Sequence, residues 1–213
     1  MTQDIVFASL FFAMKKHLLL LTLMLSFLRV FAQDEQLLQR ILEAGNAIES
    51  VKSELHNHKE KDGAVTEKEG MFYYSNPDKF AALFDDDSYM VINGDIADMN
   101  IGIFHNRLRM RHGPVRSLSM VFLYAFQGRC ADLAELNNFS LSTKDFMGFH
   151  VITMTSKKKF HLGFGLRQVI FKCGLNDLLV KEIILIDFKG TVNTFTLHRP
   201  QYNVSFDQSV FER

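Results

Sequence analysis

Tryptophan is absent from this 213-residue sequence, and only three prolines and two cysteines occur. Two cysteines are too few for a disulfide-dense scaffold or for a zinc site built from thiolates. An excess of charge of either sign is also absent, because 24 Lys and Arg residues balance 24 Asp and Glu residues. Binding to nucleic-acid phosphates needs a surplus of basic residues, so the sequence predicts no nucleic-acid partner.

Bulky apolar side chains are abundant instead. The chain holds 21 Phe and 10 Met, and 47% of its residues are hydrophobic. This content excludes an intrinsically disordered chain, which would be poorer in apolar residues and richer in net charge. The length suits one domain or at most two small ones. So much Phe and Met predicts either a large core or an apolar cavity, and composition does not choose between them.

The first 32 residues have the organisation of a signal peptide. Two lysines precede an apolar run from Leu18 to Leu28, which leads to a Val-x-Ala cleavage pattern ending at Ala32. The run is shorter than the roughly 20 residues that a membrane span needs. We expect residues 1–32 to be removed and residues 33–213 to form the mature domain. Met14 is an alternative start, and a retained signal anchor is the rival interpretation.

Export would place the two cysteines in an oxidising compartment. Cys130 and Cys173 are therefore a possible disulfide pair. A disulfide that closes the loop between Cys130 and Cys173 would add about 3–4 kcal/mol of stability in the chain-entropy description. Two separate buried thiols are the alternative, and the sequence leaves both open.

The spacing of apolar residues changes from helical to alternating near residue 50. Leu37, Leu38, Ile41 and Leu42 recur at helical spacing and predict a helix over residues 34–50. Beyond it, side chains alternate in character, as in strands with one buried face. Asp-Gly and Asn-Gly pairs separate the runs and are typical of hairpin turns.

Two longer stretches interrupt this regular pattern. Ala97 to Met110 is predicted as one strand, and Leu118 to Leu136 as one helix that is apolar on almost every face. Strands return after Asn137 and continue to the end of the chain. The total is ten or eleven short strands with two helical segments, which predicts an antiparallel meander in a barrel or a strongly curved sheet.

No catalytic or metal-binding pattern is visible. The chain lacks a Gly-x-Ser-x-Gly elbow, a phosphate-binding Gly-rich loop and a His-Glu-x-x-His pair. His56 and His58 share a strand face with Glu54 and Glu60, but a third metal ligand is not evident. A solvent-facing strand is the favoured interpretation. The sequence therefore predicts no enzyme, no metal and no cofactor.

Basic residues alternate along the end of the predicted fifth strand. Arg107, Arg109 and Arg111 share one strand face with His105. A docking patch for an acidic partner or for lipid headgroups is one interpretation. The solvated face of an edge strand is the other, and it is favoured because charged residues are common on exposed edges.

The order of these elements carries a family resemblance. Glu69-Gly70, followed by Pro77 and Phe80, resembles a stretch typical of LolA, the periplasmic carrier of outer-membrane lipoproteins. The block from Ser88 to Gly94 resembles the next strand of that family, and the block from Ile183 to Phe206 resembles its C-terminal part. The resemblance spans nearly all of the mature chain. It is closest to the divergent LolA-like proteins of Bacteroidetes-type bacteria.

The resemblance implies a mainly β (α+β) fold. Its expected form is an incomplete antiparallel β-barrel of about eleven strands, with an N-terminal helix and a lid helix over an apolar cavity. The implied function is that of a non-enzymatic, monomeric periplasmic carrier for the acyl chains of lipoproteins or another lipid. Cargo would pass from an inner-membrane release complex to an outer-membrane acceptor. A lipid-sensing regulatory or protein-interaction domain on the same scaffold is the alternative.

Strand parity and helix spacing predict the residues that such a cavity and lid would use. The predicted lipid-binding residues are Phe72, Tyr74, Phe80, Phe84, Val91, Leu118, Val121, Phe122 and Phe126. Members of the family carry an arginine immediately before the proline, which helps to latch the lid. Asn76 occupies that lid-latch position here. Because Asn carries no charge, we expect lid closure and cargo hand-over to differ from those members.

Overall fold

The computed structural model describes residues 34–101, 104–109, 114–157 and 165–212. The predicted signal peptide, residues 1–32, lies outside this part of the chain. Within the described residues, no helix is both long and apolar enough to cross a membrane. The chain divides into two compact units, Met1–Gln39 and Arg40–Arg213. Residues 34–39 of the first unit are helical, and every described strand belongs to the second unit.

Eleven antiparallel strands form one sheet. They are β1 (Ser50–Lys61), β2 (Ala64–Ser75), β3 (Lys79–Phe84), β4 (Tyr89–Asn93), β5 (Ile96–Ile101), β6 (Phe104–Arg109), β7 (Phe139–Phe146), β8 (Phe149–Ser156), β9 (Leu166–Gly174), β10 (Val180–Asp187) and β11 (Val192–Tyr202). Two meanders, β1 to β6 and β7 to β11, are joined where β1 pairs with β11. The sheet is open, with β6 and β7 at its edges. This architecture confirms the predicted eleven-stranded incomplete barrel.

Helices connect and cover the sheet. They are α1 (residues 34–46), α2 (Pro114–Phe126), α3 (Cys130–Leu136) and a short C-terminal 3-10 helix (Gln208–Phe211). The prediction of a single helix from Leu118 to Leu136 was wrong, because Gly128 has a φ of +68° and the helix breaks there. Left-handed backbone of this kind favours glycine and ends a helical run.

The prediction of one strand from Ala97 to Met110 was also wrong. β5 and β6 are two strands that form a hairpin, with Ile101 opposite Phe104 and Ala97 opposite Leu108. Residues 102 and 103, between the strands, lie outside the described part of the chain. Their sequence, Gly-Ile, has neither proline nor an Asn-Gly pair, so the turn gave no strong signal.

The sheet has two faces of different character. The helix face is the side against which α2 packs, and it carries Phe72, Phe80 and Phe195, which contact the rings of α2. The outer face is the opposite side. It carries a smaller apolar cluster of Ala81, Tyr89, Val91 and Phe211, which the 3-10 helix completes. Most of the largest fully buried side chains belong to the helix face: Phe72, Tyr74, Phe80, Ile92, Ile152, Met154 and Phe171.

Candidate functional site

Two aromatic rings of α2 pack against aromatic rings of the helix face. Phe122 of α2 lies 5.1 Å from Phe80 and 5.1 Å from Phe195, measured between ring centroids. Phe126 lies 4.8 Å from Phe72 and 5.3 Å from Tyr74. Such pairs contribute about 0.5–1.5 kcal/mol each beyond the burial of their area. The structure therefore brings five of the predicted lipid-binding residues into one ring cluster.

Other predicted residues lie in or around this cluster. Val121 is fully buried on α2, whereas Leu118, nearer the start of the helix, is only half-buried. Phe84 ends β3 opposite Gly70, so it shares the helix face with Phe72. It is half-buried, and the Lys68 ammonium lies 5.7 Å from its ring centroid. These residues mark where the apolar surface meets water.

Val91 does not belong to the helix face. It pairs with Ala81, whereas its neighbour Ile92 pairs with Phe80, so Val91 points to the outer face. There it packs with Tyr89 and Phe211. The grouping of Val91 with Phe80 is therefore corrected. Its physical reason is that β4 is buried on both faces, so its apolar run from Tyr89 to Ile92 shows no alternation.

The predicted latch position lies beside the end of α2, but another residue makes the connecting bond. The side-chain amide of Gln127, which follows α2, donates to the Pro77 carbonyl oxygen at 2.5 Å. The Tyr74 hydroxyl donates to Asn76 Oδ1 at 3.4 Å. Burial raises the pKa of Tyr74 to about 12, so this phenol keeps its proton at neutral pH. The turn between β2 and β3, which contains Asn76 and Pro77, thus holds the end of α2 through Gln127. We call the bond between Gln127 and Pro77 the latch. Asn76 stabilises the turn through its contact with Tyr74.

Sequence reasoning missed Gln127. The feature that could have drawn attention to Gln127 is its position, because it is a polar residue between the apolar end of α2 and Gly128. The other half of the same amide is not satisfied, because Oε1 of Gln127 is buried without a hydrogen-bond partner within the described part of the chain. A buried acceptor in this state costs about 1–3 kcal/mol. The same side chain also lies within hydrogen-bonding reach of the Tyr74 hydroxyl, so Gln127 connects the end of α2 with both Pro77 and β2.

Backbone contacts fix the link between α2 and α3. A Cβ atom on Gly128 would lie 2.2 Å from the Ile41 carbonyl oxygen of α1. A Cβ atom on Gly45 would lie 2.3 Å from the Gln127 carbonyl carbon. Contacts this close need glycine on both sides, since real Cβ atoms do not approach backbone atoms to that distance. The C-terminal end of α2 therefore lies against α1 with no side chain between them.

The two cysteines are free thiols in this structure, and both are buried. Cys130 begins α3, and Cys173 lies on the helix face of β9. Burial raises the pKa of the Cys130 thiol to about 12. Burial also raises the pKa of Cys173 well above its usual range, and the neighbouring Cys130 adds to this effect. A disulfide between them stays a prediction.

The histidine pair lies on the outer face, away from the rings of α2. His58 Nδ1 lies 3.1 Å from Glu67 Oε1, and His56 Nε2 lies 3.9 Å from Glu67 Oε2. The rings of His56 and His198 are 6.2 Å apart between centroids. Among the residues that the structure describes, no group of three or more His, Cys, Asp or Glu side chains could hold a metal ion.

Comparisons with known proteins identify similar folds. No protein-family model matches the chain, and no curated protein matches it either. A DUF1329 family protein from Desulfovibrio piger superposes with a TM-score of 0.47 at 11% identity, over 83% of this chain and 94% of that one. A putative outer membrane lipoprotein-sorting protein domain from Vibrio parahaemolyticus gives 0.48 at 10% identity, over 84% and 96%.

A LolA superfamily protein from Nitrosomonas europaea gives a TM-score of 0.40 at 10% identity, over 81% of this chain and 96% of that one. These likenesses concern the fold alone. The structural neighbours of this chain include LolA superfamily and lipoprotein-sorting proteins, at low sequence identity and without a matching family model.

Proposed function

We propose that this protein is a periplasmic carrier that shields the acyl chains of lipoproteins, or of another lipid, between the inner and outer membranes. One observation carries the proposal. The aromatic helix face is covered by a short helix that presents apolar residues to more than one side, including the half-buried Leu118 and Met120. An element of this kind is suited to exchange with an acyl chain. The proposal requires no catalytic step.

The exchange is favoured by surface burial. Moving α2 away would expose the rings of Phe72, Phe80 and Phe195, together with Phe122 and Phe126 of the helix itself. Each square ångström of exposed apolar surface costs about 25 cal/mol. An acyl chain inserted between sheet and helix would cover both surfaces again. Its own CH₂ groups would leave water in the same step, each worth about 0.8 kcal/mol.

The attachment of α2 suggests how it would move. Gly128 and Gly45 hold its C-terminal end against α1, so that end is the pivot. Gln127 forms one hydrogen bond to the Pro77 carbonyl but leaves its own carbonyl oxygen unsatisfied. Gln127 lies at this pivot, so losing its bond to Pro77 would cost about 0.5–1.5 kcal/mol and leave the pivot freer to turn. The latch then sets how readily cargo enters.

The experiment measures loading and transfer separately. The mature chain is incubated with a triacylated lipopeptide and examined by native mass spectrometry for a bound copy. The loaded protein is then mixed with acceptor vesicles, and fluorescently labelled lipopeptide is followed into them. We expect one lipopeptide per chain and transfer to the vesicles. No uptake by the folded protein would overturn the proposal.

Matched variants locate the site. Phe122→Ala removes a ring from the helix that covers the helix face, and we expect weaker lipopeptide uptake. Tyr73→Ala removes a ring of the outer face, where Tyr73 lies 5.2 Å from Phe206, and we expect unchanged uptake. Binding without transfer would contradict a carrier and would instead support the lipid-sensing regulatory or interaction domain. An inner-membrane release complex and an outer-membrane acceptor are the partners that a carrier requires.

A further inference from the structure

A cavity of about 310 Å³ lies on the outer face, on the opposite side of the sheet from α2. Val91, Ile96 and Phe211 form its apolar wall, and Asp98 and Arg107 bring opposite charges to it. The cavity is of the size that holds small organic ligands. It does not involve the aromatic helix face, so a ligand there is independent of the proposed carrier function.

The wall beside the C-terminus is held in place by several contacts. The Asn93 side-chain amide donates to the Phe211 carbonyl oxygen at 3.4 Å, which ties the 3-10 helix to β4. The Asp207 carboxylate accepts from the backbone N–H of Ser209 at 3.0 Å and begins that helix. Phe206 and Phe211 lie 6.0 Å apart between ring centroids. The cavity is therefore bounded by packed structure on this side.

The two charges stand opposite one another without pairing. Asp98 and Arg107 are direct partners in the register of β5 and β6, so their side chains share the outer face. Directly opposed, oppositely charged residues in a sheet ordinarily attract each other. Within the described residues, Arg107 forms no ion pair with Asp98 or with Glu212, the second carboxylate at the cavity.

Asp98 has capacity to bind a further group. Its side chain is buried, with the residue only 5% exposed. It accepts a hydrogen bond from the Tyr89 hydroxyl at 3.2 Å. An ionised carboxylate can accept about four hydrogen bonds. A buried carboxylate with so few donors is stabilised by any cation that reaches it.

We propose that this cavity binds a small zwitterion, with an ammonium group at Asp98 and an anionic group at Arg107. The guanidinium fork of arginine suits a carboxylate or a phosphate, which it can hold through two parallel hydrogen bonds. The apolar part of the ligand contacts Val91, Ile96 and Phe211. A free apolar amino acid and a phosphoethanolamine headgroup both have this chemistry.

Other ligand classes fit the cavity less well. A purely anionic molecule would be repelled by Asp98 and Glu212, and a purely cationic one would leave the Arg107 guanidinium without a partner in the cavity. A neutral apolar molecule would displace water from the buried carboxylate and offer it no hydrogen bond. The separated charges therefore select a ligand that carries both signs.

The test titrates the mature chain with L-leucine and with O-phosphoethanolamine, using isothermal calorimetry. Ethanolamine and inorganic phosphate serve as single-charge probes. We expect at least one zwitterion to bind about tenfold more tightly than either single-charge probe, as the loss of one charged hydrogen bond implies. Leucine alone would identify an amino-acid site, and phosphoethanolamine alone a headgroup site. Both results support the proposal, whereas binding of neither zwitterion overturns it.

Matched variants test the two charges. Arg107→Gln should weaken binding of the zwitterion about tenfold. Arg109→Gln is the control, because Arg109 is exposed on the same face of β6 but pairs with Ile96 and is not among the cavity residues. Asp98→Asn keeps the shape and the Tyr89 contact while removing the charge. Equal weakening by Arg107→Gln and Arg109→Gln would contradict the proposal, since it would indicate a diffuse charge effect.

Discussion

The two faces of the sheet bury their side chains in different ways. On the helix face, Phe72 and Phe80 are covered by rings from a helix that occurs between the two meanders. On the outer face, the strands around His56 and Glu67 remain in contact with water, and the 3-10 helix packs on the cluster that contains Val91. The larger apolar surface thus depends on a separate helix for its cover.

This contrast indicates where stability and function lie. On the outer face, the 3-10 helix covers a small cluster around Val91 and Phe211. A surface covered by α2 can be uncovered while all eleven strands stay paired. The helix face therefore holds most of the large buried side chains, and under the proposed carrier function it is the region that would open.

The largest effect is expected from removing a ring at the centre of the helix face. Phe80→Ala should lower the free energy of unfolding by about 3–5 kcal/mol, because the ring is fully buried between sheet and helix. Tyr73→Ala, on the half-buried outer face of the neighbouring strand, should cost about 1–2 kcal/mol. Urea denaturation of both variants measures the difference. Equal losses would show that the two faces are not energetically distinct.

A second variant should displace the helix and leave both faces intact. Gly128→Ala places a methyl group 2.2 Å from the Ile41 carbonyl oxygen and requires alanine at a φ of +68°. We expect a loss of about 2–4 kcal/mol and increased binding of a dye that fluoresces on apolar surfaces. Gly190→Ala, with a φ of +87° and no atom within 4 Å, is the control. It should cost about 1 kcal/mol and leave dye binding unchanged.

Removing the latch should change the rate of opening more than the overall stability. Gln127→Leu deletes the bond to the Pro77 carbonyl and should cost about 1 kcal/mol. It should also speed lipopeptide uptake, measured by stopped-flow fluorescence. Gln168→Leu removes one bond, from Nε2 to Thr155 Oγ1 at 3.0 Å, away from the latch. A similar increase in uptake for Gln168→Leu would rule out a specific latch.

The smallest effect is expected at the rim of the helix face. Lys68 Nζ lies 2.7 Å from Asp86 Oδ2, and the hydrogen bonds from Lys68 and then Ser88 lower the pKa of Asp86 to about 2. The pKa of Asp86 is lower in the folded state than its usual value of 3.8. The ionised carboxylate of Asp86 therefore stabilises the folded state fully at pH values above 3.8. It is lost as the pH falls through about 2.

Asp86→Asn should therefore cost no more than about 1 kcal/mol at pH 7, since the pair is exposed and screened by solvent. The difference from the unaltered protein should shrink between pH 4 and pH 2, as measured by thermal unfolding across that range. A difference that stays constant down to pH 2 would show that Asp86 acts through packing and not through its charge.

Local patterns in the sequence were sufficient for much of this fold. Alternating strands around Phe72 and Asn-Gly turns such as Asn93-Gly94 led to a count of ten or eleven strands, and the structure describes eleven. They failed at Val91, because a strand buried on both faces has no alternation to reveal its orientation. They also failed at the β5–β6 turn, where an alternating pattern continues across two strands without a strong turn residue.

The latch and the outer cavity could not be predicted from such patterns. Gln127 acts through the Pro77 carbonyl, a backbone atom that lies 50 positions away along the chain. Asp98 and Arg107 are charged residues on the neighbouring strands β5 and β6, where polar and apolar side chains alternate. In a sequence, such a pattern is typical of a solvated strand face. Only the packing of Phe211 from the far end of the chain makes their face a cavity.

The pairing of β1 with β11 has a consequence for the order in which the chain acquires its structure. The Glu49 backbone N–H donates to Asn203 Oδ1 across 154 positions of sequence. Formation of this seam requires closure of a loop of 154 positions, and contacts of such separation slow folding. Each meander can form early, but Phe195 of β11 joins the rings of α2 only when the last strand arrives. We therefore expect the newly made chain to keep the β1 edge of its first meander unpaired until β11 has been synthesised.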